Sequence, residues 1–166
     1  MSTADNLQAA FAGESQANRK YLAFAKKAEQ DGFKQVAKLF RAAAEAETVH
    51  AHAHLRVMKG IGSTADNLKA AVAGEAHEFK SMYPEFVKVA EAEKNQPALV
   101  SFKNAMAVEQ THHNLYAEAL KAVEGGKDLP AAAIYVCPVC GHTEVGGAPD
   151  RCPVCNVPKD KFVEVK

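Results

Sequence analysis

The first 136 residues contain no cysteine, and all four cysteines lie between Cys137 and Cys155. Cysteines clustered in this way in an intracellular chain indicate metal ligands rather than disulfides. The change in composition also marks two modules. We expect a larger module over residues 1–126, a linker over 127–134 and a small module over 135–166.

The sequence also lacks net charge, since Lys and Arg together number 20 and Asp and Glu together number 20. Without a basic field, no nucleic-acid or anionic membrane partner is expected. The first residues, MSTADN, lack the charged start and apolar centre of a signal peptide, and no apolar run approaches the length of a membrane span. We expect a soluble cytoplasmic protein.

One segment of the sequence occurs twice. Residues 2–14 read STADNLQAAFAGE and residues 63–75 read STADNLKAAVAGE, so eleven of the thirteen positions are identical. Both copies open with Ser-x-x-Asp, which is typical of a capping box at the start of a helix. The repeat therefore predicts two helices that begin in the same way and each carry a glutamate near their middle.

Helical periodicity and stop signals predict four helices, over residues 2–30, 33–58, 63–92 and 97–124. Pro84 lies inside the third helix and is expected to kink or break it, because proline removes a hydrogen bond and crowds the preceding turn. The four helices form two copies of a hairpin. The predicted fold class is mainly α, a four-helix bundle of two duplicated hairpins followed by a small β/turn module held together by metal.

The second helix of each hairpin carries a Glu-x-x-His motif, and the two motifs are 62 positions apart. A spacing of three residues places both side chains on one helix face. The repeat adds one glutamate to each motif. The resulting ligand set is that of a di-iron carboxylate bundle: Glu14, Glu47 and His50 from the first hairpin, with Glu75, Glu109 and His112 from the second. Two metal cations would compensate carboxylates that are costly to bury alone.

Less specific interpretations exist for these residues. A single Glu-x-x-His motif is usually a solvated helix face, and the repeat alone could be a duplicated structural hairpin. Two motifs and two glutamates in register favour the metal site. Glu78 has no counterpart in the first copy, where Ala17 stands. The remaining bundle histidines are expected on the surface or outside the ligand set: His52, His54, His77 and His113.

Two Cys-x-x-Cys motifs, eleven residues apart, occur in the small module. This spacing strongly predicts a tetrahedral four-thiolate site made of Cys137, Cys140, Cys152 and Cys155. By geometry the site suits zinc or a single iron ion equally well. It could be a zinc ribbon that only holds the tail together, whereas an iron centre would have a redox role beside a di-iron bundle.

Together these motifs resemble the rubrerythrin family over essentially the whole chain: AFAGES, EAETVH, AGEAHEF, VEQTHH and CPVCG…APDRCPVC. The resemblance implies a ferritin-like di-iron bundle followed by a rubredoxin-type iron centre. It also implies reduction of hydrogen peroxide to water in the cytoplasm. Electrons would come from NAD(P)H through a separate reductase or from reduced rubredoxin.

The resemblance further implies a role for each ligand. Glu47 and Glu109 would bridge the two irons, and Glu75 and His112 would complete one of them. Glu14 would bind the other iron, whose last ligand alternates between Glu78 and His50 as the pair changes oxidation state. The expected catalytic residues are His50, Glu78, Tyr21 and Tyr83, where the tyrosines would hydrogen-bond to glutamate ligands or serve as core aromatics.

Two further functions remain open from the residues alone. The protein could be a ferroxidase that handles iron, as ferritins do, although a storage protein has no need of a dedicated electron donor. Alternatively, the cysteine module could hold zinc and act as a binding platform.

The connection between the hairpins is short. Only Gly60, Ile61 and Gly62 separate Lys59 from Ser63, so the link reaches roughly 15 Å at ~3.6 Å per residue, whereas a helix of 25 residues is about 38 Å long. Such a link cannot return along the bundle. We therefore expect either an up-down-up-down bundle or a homodimer that exchanges hairpins between chains.

Overall fold

The computed structural model describes residues 2–166, which are mostly helical. The helices are α1 (Thr3–Gln30), α2 (Lys34–Val57), α3 (Thr64–His77), a π-helical turn (Glu78–Met82), α4 (Tyr83–Ala92) and α5 (Gln96–Glu124). The strands are β1 (Ile134–Val136), β2 (Thr143–Val145) and β3 (Val163–Glu164), with a 3-10 turn at Lys159–Lys161. The chain divides into two compact units, one ending at Gly62 and the other running from Ser63 to Lys166.

Both copies of the repeat begin with the predicted capping box. Ser2 Oγ accepts a hydrogen bond from the Asp5 N–H at 3.2 Å, and the Asp5 carboxylate accepts one from the Ser2 N–H at 2.7 Å. Ser63 and Asp66 make the same pair of bonds, at 3.2 and 3.3 Å. These bonds satisfy N–H groups that the first turn of a helix leaves without partners.

The first unit is a hairpin of α1 and α2 packed along a seam of small residues. Every seventh residue of α2 on this seam is a buried alanine, namely Ala37, Ala44 and Ala51. The buried Asn18 of α1 donates to the Ala44 carbonyl at 2.7 Å and to Thr48 Oγ1 at 2.9 Å. Because Asn18 lies one turn after Glu14 and Thr48 directly follows Glu47, this bond fixes the two helices at the level of the glutamates.

The duplication extends to an aromatic trio that the sequence analysis did not single out. Ring centroids in each trio are 5.5 to 6.4 Å apart, within the range of favourable aromatic contacts. The trios are Tyr21, Phe24 and Phe40 in the first unit, and Tyr83, Phe86 and Phe102 in the second. The two hairpins thus share packing as well as sequence.

The predicted third helix is interrupted, but the break is a π-helical turn that begins before Pro84. The Tyr83 N–H donates to the Glu78 carbonyl, five residues back. Pro84 then stands in the first turn of α4, where its missing N–H is tolerated. The interruption expected around Pro84 is therefore present, but it is a π turn that precedes the proline and not a break at the proline itself.

The cysteine module is a three-stranded antiparallel sheet with strand order β2-β1-β3. Tyr135 of β1 pairs with Glu144 on one side and Glu164 on the other. The predicted β/turn character of this module is confirmed. Within residues 2–166, no helix is both long enough and apolar enough to cross a membrane.

The bond made by Asn18 generates a stability prediction. Asn18→Ala should lower the free energy of unfolding by about 1–3 kcal/mol, because buried polar groups lose their partner and a small cavity forms. Denaturant unfolding followed by circular dichroism measures the change. Gln16→Ala, an exposed position on the same helix, serves as the control, and equal effects of the two substitutions would contradict a special role for Asn18.

Candidate metal centres

In the described part of the chain, three clusters of side chains could hold a metal ion. The first lies in the α1–α2 hairpin and consists of Glu14, Glu47 and His50, each of which offers a ligand atom within 4.8 Å of the others. His50 Nδ1 is 2.9 Å from Glu47 Oε2. The His50 side chain is 55% exposed, so it has room to move.

The second cluster lies in the α3–α5 hairpin and repeats this arrangement. Its ligand atoms, from Glu75, Glu109 and His112, also lie within 4.8 Å of one another. His112 Nδ1 is 2.9 Å from Glu109 Oε2 and 3.8 Å from Glu75 Oε1. The sequence-predicted ligands of each hairpin are therefore brought together, and in both hairpins Nδ1 is the histidine atom that faces the carboxylates.

The second cluster is electrostatically crowded. Burial and then the charge of Glu109 raise the pKa of Glu75, and burial and then the charge of Glu75 raise the pKa of Glu78. Burial and the charges of Glu109, Glu78 and Glu75 raise the pKa of the Tyr83 hydroxyl. Bound cations would offset this repulsion, since an opposite charge favours the ionised carboxylate. The residues present therefore fit a di-metal centre.

Glu78 stands outside the three close-packed ligand atoms of the second hairpin. It begins the π-helical turn, and six residues separate Glu14 from Tyr21 whereas seven separate Glu75 from Tyr83. The π turn therefore contains one inserted residue, which is how such turns arise within α-helices. This insertion explains why the opening repeats are 61 positions apart and the Glu-x-x-His motifs 62.

The two predicted tyrosines differ in their surroundings. Tyr83 lies close enough to the carboxylates of the second hairpin for three of them to raise its pKa. Tyr21 contacts the rings of Phe24 and Phe40, at 6.4 and 6.1 Å between centroids. Both tyrosines therefore pack within an aromatic trio, and Tyr83 in addition lies near the carboxylates of its hairpin.

The other bundle histidines are not in these clusters. His113 donates from Nδ1 to the Val72 carbonyl at 3.1 Å and packs against Phe79 at 5.4 Å. His52 and His77 are exposed, and His54 is half-buried. These positions agree with the expectation that all four lie on the surface or outside the ligand set.

The third cluster consists of the four cysteines. Cys137 Sγ is 3.5 Å from Cys155 Sγ, Cys140 Sγ is 3.5 Å from Cys152 Sγ, and all four sulfurs lie within 4.8 Å of one another. A tetrahedral metal–thiolate site with bonds of about 2.3 Å has sulfurs about 3.8 Å apart. The four sulfurs are thus already arranged for one metal ion.

Backbone N–H groups around the cysteines lower the pKa of Cys152, whereas burial outweighs them and raises the pKa values of Cys140 and Cys155. Burial alone would raise the pKa of Cys152, but the N–H groups of Cys155 and Val154 donate to its sulfur and bring the pKa to about 7. Burial raises the pKa of Cys140, which is partly opposed by the His142 N–H. Since the thiolate is the metal ligand, these N–H groups prepare the site for a cation.

Comparison with known proteins agrees with both kinds of centre. The rubrerythrin family model matches residues 5–120, and the model described as the rubredoxin-like domain of rubrerythrin matches residues 135–163. The chain belongs to the rubrerythrin family.

Individual rubrerythrin relatives match over nearly the full chain. Rubrerythrin-2 of Clostridium acetobutylicum is 36% identical, with 96% of this chain and 95% of the relative covered. Nigerythrin of Nitratidesulfovibrio vulgaris is 34% identical, with 97% and 85% covered. A solved structure of mixed-valent nigerythrin has a TM-score of 0.58 and covers 99% of this chain and 87% of nigerythrin. Another nigerythrin structure is described as fully reduced and all ferrous.

Family membership confirms the predicted fold class, mainly α and ferritin-like with a small rubredoxin-like module. It also confirms the expected cofactors, a di-iron carboxylate site and a four-cysteine iron site. Membership is consistent with a role in defence against oxidative stress. The assignment of individual ligands and the exchange of hairpins stay predictions.

The raised pKa of Glu75 generates a prediction for the metal-free protein. Between the ordinary and the raised pKa, the folded state holds a proton that the unfolded state has lost, so stability falls as pH rises through this window. Glu75→Gln removes the ionisable group and therefore the loss of stability with rising pH. Without metal, the melting temperature of the variant should exceed that of the wild type by a few degrees at pH 7 and equal it at pH 4.

The metal-loaded protein should show the opposite order, because the variant lacks a ligand. Thermal unfolding with and without bound iron measures both effects, and Glu85→Gln on exposed α4 surface is the control. A metal-free variant that is no more stable than the wild type at pH 7 would contradict the repulsion described above.

Proposed function

We propose that this chain is a cytoplasmic peroxidase that reduces hydrogen peroxide to water. Its electrons would come from NAD(P)H, passed on by a separate reductase or by reduced rubredoxin. One observation carries the proposal: two matched Glu-Glu-His clusters and a four-cysteine site occur in a single rubrerythrin-family chain. Peroxide needs two electrons and two protons to form two waters, and this chain has both a site for the reaction and a site for electron entry.

The bound irons would supply one-electron redox chemistry, and the protein groups hold and orient them. Glu14, Glu47 and His50 provide ligands from one hairpin, and the second hairpin provides Glu75, Glu109 and His112. The raised pKa of Tyr83 keeps its hydroxyl protonated, so it can donate a hydrogen bond to a carboxylate. Such a bond fixes the orientation of a ligating glutamate.

The four-cysteine site supports a peroxidase over a ferroxidase that stores iron. A stored ferric core does not need a dedicated electron donor, whereas repeated peroxide reduction does. Hydrogen bonds from backbone N–H groups to the sulfurs, as seen at Cys152 and Cys140, are one of the features that tune the potential of iron–sulfur sites.

The di-iron centre also requires two hairpins. Each Glu-Glu-His cluster lies within one compact unit and provides three of the ligands. Each unit also exposes large apolar side chains, among them Leu39 at 68% and Val89 at 55%. We propose that hairpins are exchanged between two chains, so that each centre combines the first hairpin of one chain with the second of another. The link of only Gly60, Ile61 and Gly62 favours this assembly.

The first test compares oxidants. The reduced protein should react much faster with hydrogen peroxide than with dioxygen, since Glu78 completes the peroxidase ligand set and the cysteine site is in the same chain. Stopped-flow absorbance measures both rates on one preparation. Equal or faster reaction with dioxygen would favour the ferroxidase alternative.

A second test concerns the inserted glutamate. Glu78→Ala should keep two irons bound in the reduced state, because His50 can serve as the remaining ligand, but turnover with peroxide should fall at least ~10-fold. Metal analysis and steady-state kinetics measure the two properties, with Glu85→Ala as control. Loss of one iron from the reduced variant would show instead that Glu78 is a permanent ligand.

A third test addresses the exchange of hairpins. One chain carries Glu14→Ala and Glu47→Ala, the other carries Glu75→Ala and Glu109→Ala, and differently tagged chains are co-expressed. In an exchanged heterodimer one centre keeps all its ligands and the other loses four glutamates. The isolated heterodimer should therefore hold one complete di-iron centre and about half of the wild-type activity.

The alternative assembly predicts a different result in the same preparation. If each chain builds its own centre, both centres lack two glutamates, and neither should bind two irons tightly. A heterodimer with two equally defective centres would rule out the exchange. Each doubly substituted homodimer is the baseline for this comparison.

A further inference from the structure

The cysteine module touches a predicted iron ligand of its own chain. His112 on α5 extends its ring towards β2, where Nε2 is 3.1 Å from Thr143 Oγ1. We propose that Thr143 is a positioning residue for His112, which fixes the tautomer and orientation of the ring and links the four-cysteine module to the di-iron half-site. The inference rests on the proposed function, because it takes His112 to be an iron ligand.

Hydrogen-bond directions set the tautomer. The Thr143 hydroxyl donates its only hydrogen to the Gly141 carbonyl at 3.3 Å, so Oγ1 faces His112 as an acceptor. The ring must then donate from Nε2. Nδ1 lies 2.9 Å from Glu109 Oε2 and 3.8 Å from Glu75 Oε1. Without a cation Nδ1 donates a hydrogen to Glu109, and a bound metal would displace this hydrogen and take the Nδ1 lone pair. By accepting from Nε2, Thr143 holds the ring with Nδ1 towards the carboxylates, where a metal would bind.

The contact is supported by packing as well as by one hydrogen bond. An added Cβ on Gly141 would lie 3.8 Å from Val108 Cγ1, an ordinary van der Waals distance, so the backbone of Gly141 runs beside α5. Val108 is 2% exposed and precedes Glu109. A mainly apolar cavity of about 520 Å³ borders the His112–Thr143 pair.

The two hairpins differ in this respect. His50, the counterpart of His112, is 55% exposed. Its Nδ1 contacts Glu47 Oε2 at 2.9 Å. His112 is thus held at both ring nitrogens, by Glu109 and by Thr143, whereas His50 is more exposed and is held at Nδ1 by Glu47. The Thr143 hydroxyl that contacts His112 also bonds to the Gly141 carbonyl, and Gly141 directly follows the metal ligand Cys140. A well-ordered four-cysteine site therefore helps to keep His112, a proposed iron ligand, in position.

The test compares Thr143→Val, which has nearly the same shape but no acceptor, with Thr143→Ser, which keeps the hydroxyl. Full-length protein with iron in the four-cysteine site is titrated anaerobically with Fe(II) by calorimetry. Thr143→Val should weaken binding at the di-iron centre about 10–100-fold, as expected for loss of an outer partner of a ligating histidine, whereas Thr143→Ser should bind like the wild type.

A second measurement does not depend on affinity. Nitrogen-15 NMR of the Zn(II)-loaded full-length protein should show a His112 Nε2–H that exchanges slowly with water in the wild type and Thr143→Ser, and rapidly in Thr143→Val, because only the first two offer this hydrogen an acceptor. The visible absorbance of the ferric four-cysteine site reports whether the module is intact. Should Thr143→Val disturb that absorbance, Thr143→Ala replaces it.

The variant His112→Ala distinguishes a failure of the positioning role of Thr143 from a failure of the proposed ligand set. If His112→Ala loses Fe(II) and Thr143→Val binds it with wild-type affinity and a slowly exchanging Nε2–H, the positioning role is wrong and the proposed ligand set stands. If His112→Ala binds Fe(II) like the wild type, the ligand set itself is wrong and the inference about Thr143 falls with it.

Discussion

The repulsion between half-buried carboxylates is the constraint on which the rest of this structure depends. Glu75 lies beside Glu109, and burial and that charge together raise its pKa. A hairpin that buries such carboxylates without a bound cation is less stable. The α1–α2 and α3–α5 hairpins meet this constraint in the same way, with an imidazole three residues after a glutamate and a second glutamate from the neighbouring helix. Helix caps and aromatic trios in both hairpins, and the alanine seam of α2, then hold these groups at one level.

Features set by local sequence could be predicted well. The capping boxes at Ser2 and Ser63, the stop at Gly32 with its φ of +86°, and the start of α5 beside Pro97 follow from signals only a few residues long. The three ligand clusters could be predicted because duplication and Cys-x-x-Cys spacing make their members recognisable in pairs. Family membership confirms the cofactors, while the role of each ligand awaits experiment.

Contacts between distant segments could not be predicted in this way. Asn18 of α1 donates a hydrogen bond to Ala44 of α2, and no pattern in the sequence around Asn18 predicts this partner. Thr143 reaches His112 over 31 positions and belongs to no motif. The π turn could have been predicted from the sequence, because the offset between the repeats changes from 61 to 62 residues. The chemistry of proline alone instead predicts an interruption at Pro84 and not at Glu78–Met82.

The π turn has a consequence for how this chain could have arisen. A hairpin copied without change gives two equivalent halves, and substitutions alone would have to make them unequal one side chain at a time. One inserted residue within α3–α4 is instead taken up by the π turn, which begins at the unmatched Glu78, while the later trio of Tyr83, Phe86 and Phe102 keeps the packing of its counterpart. Since an added residue corresponds to three nucleotides, the gain or loss of a single codon separates a symmetric ancestor from the asymmetric hairpin seen here.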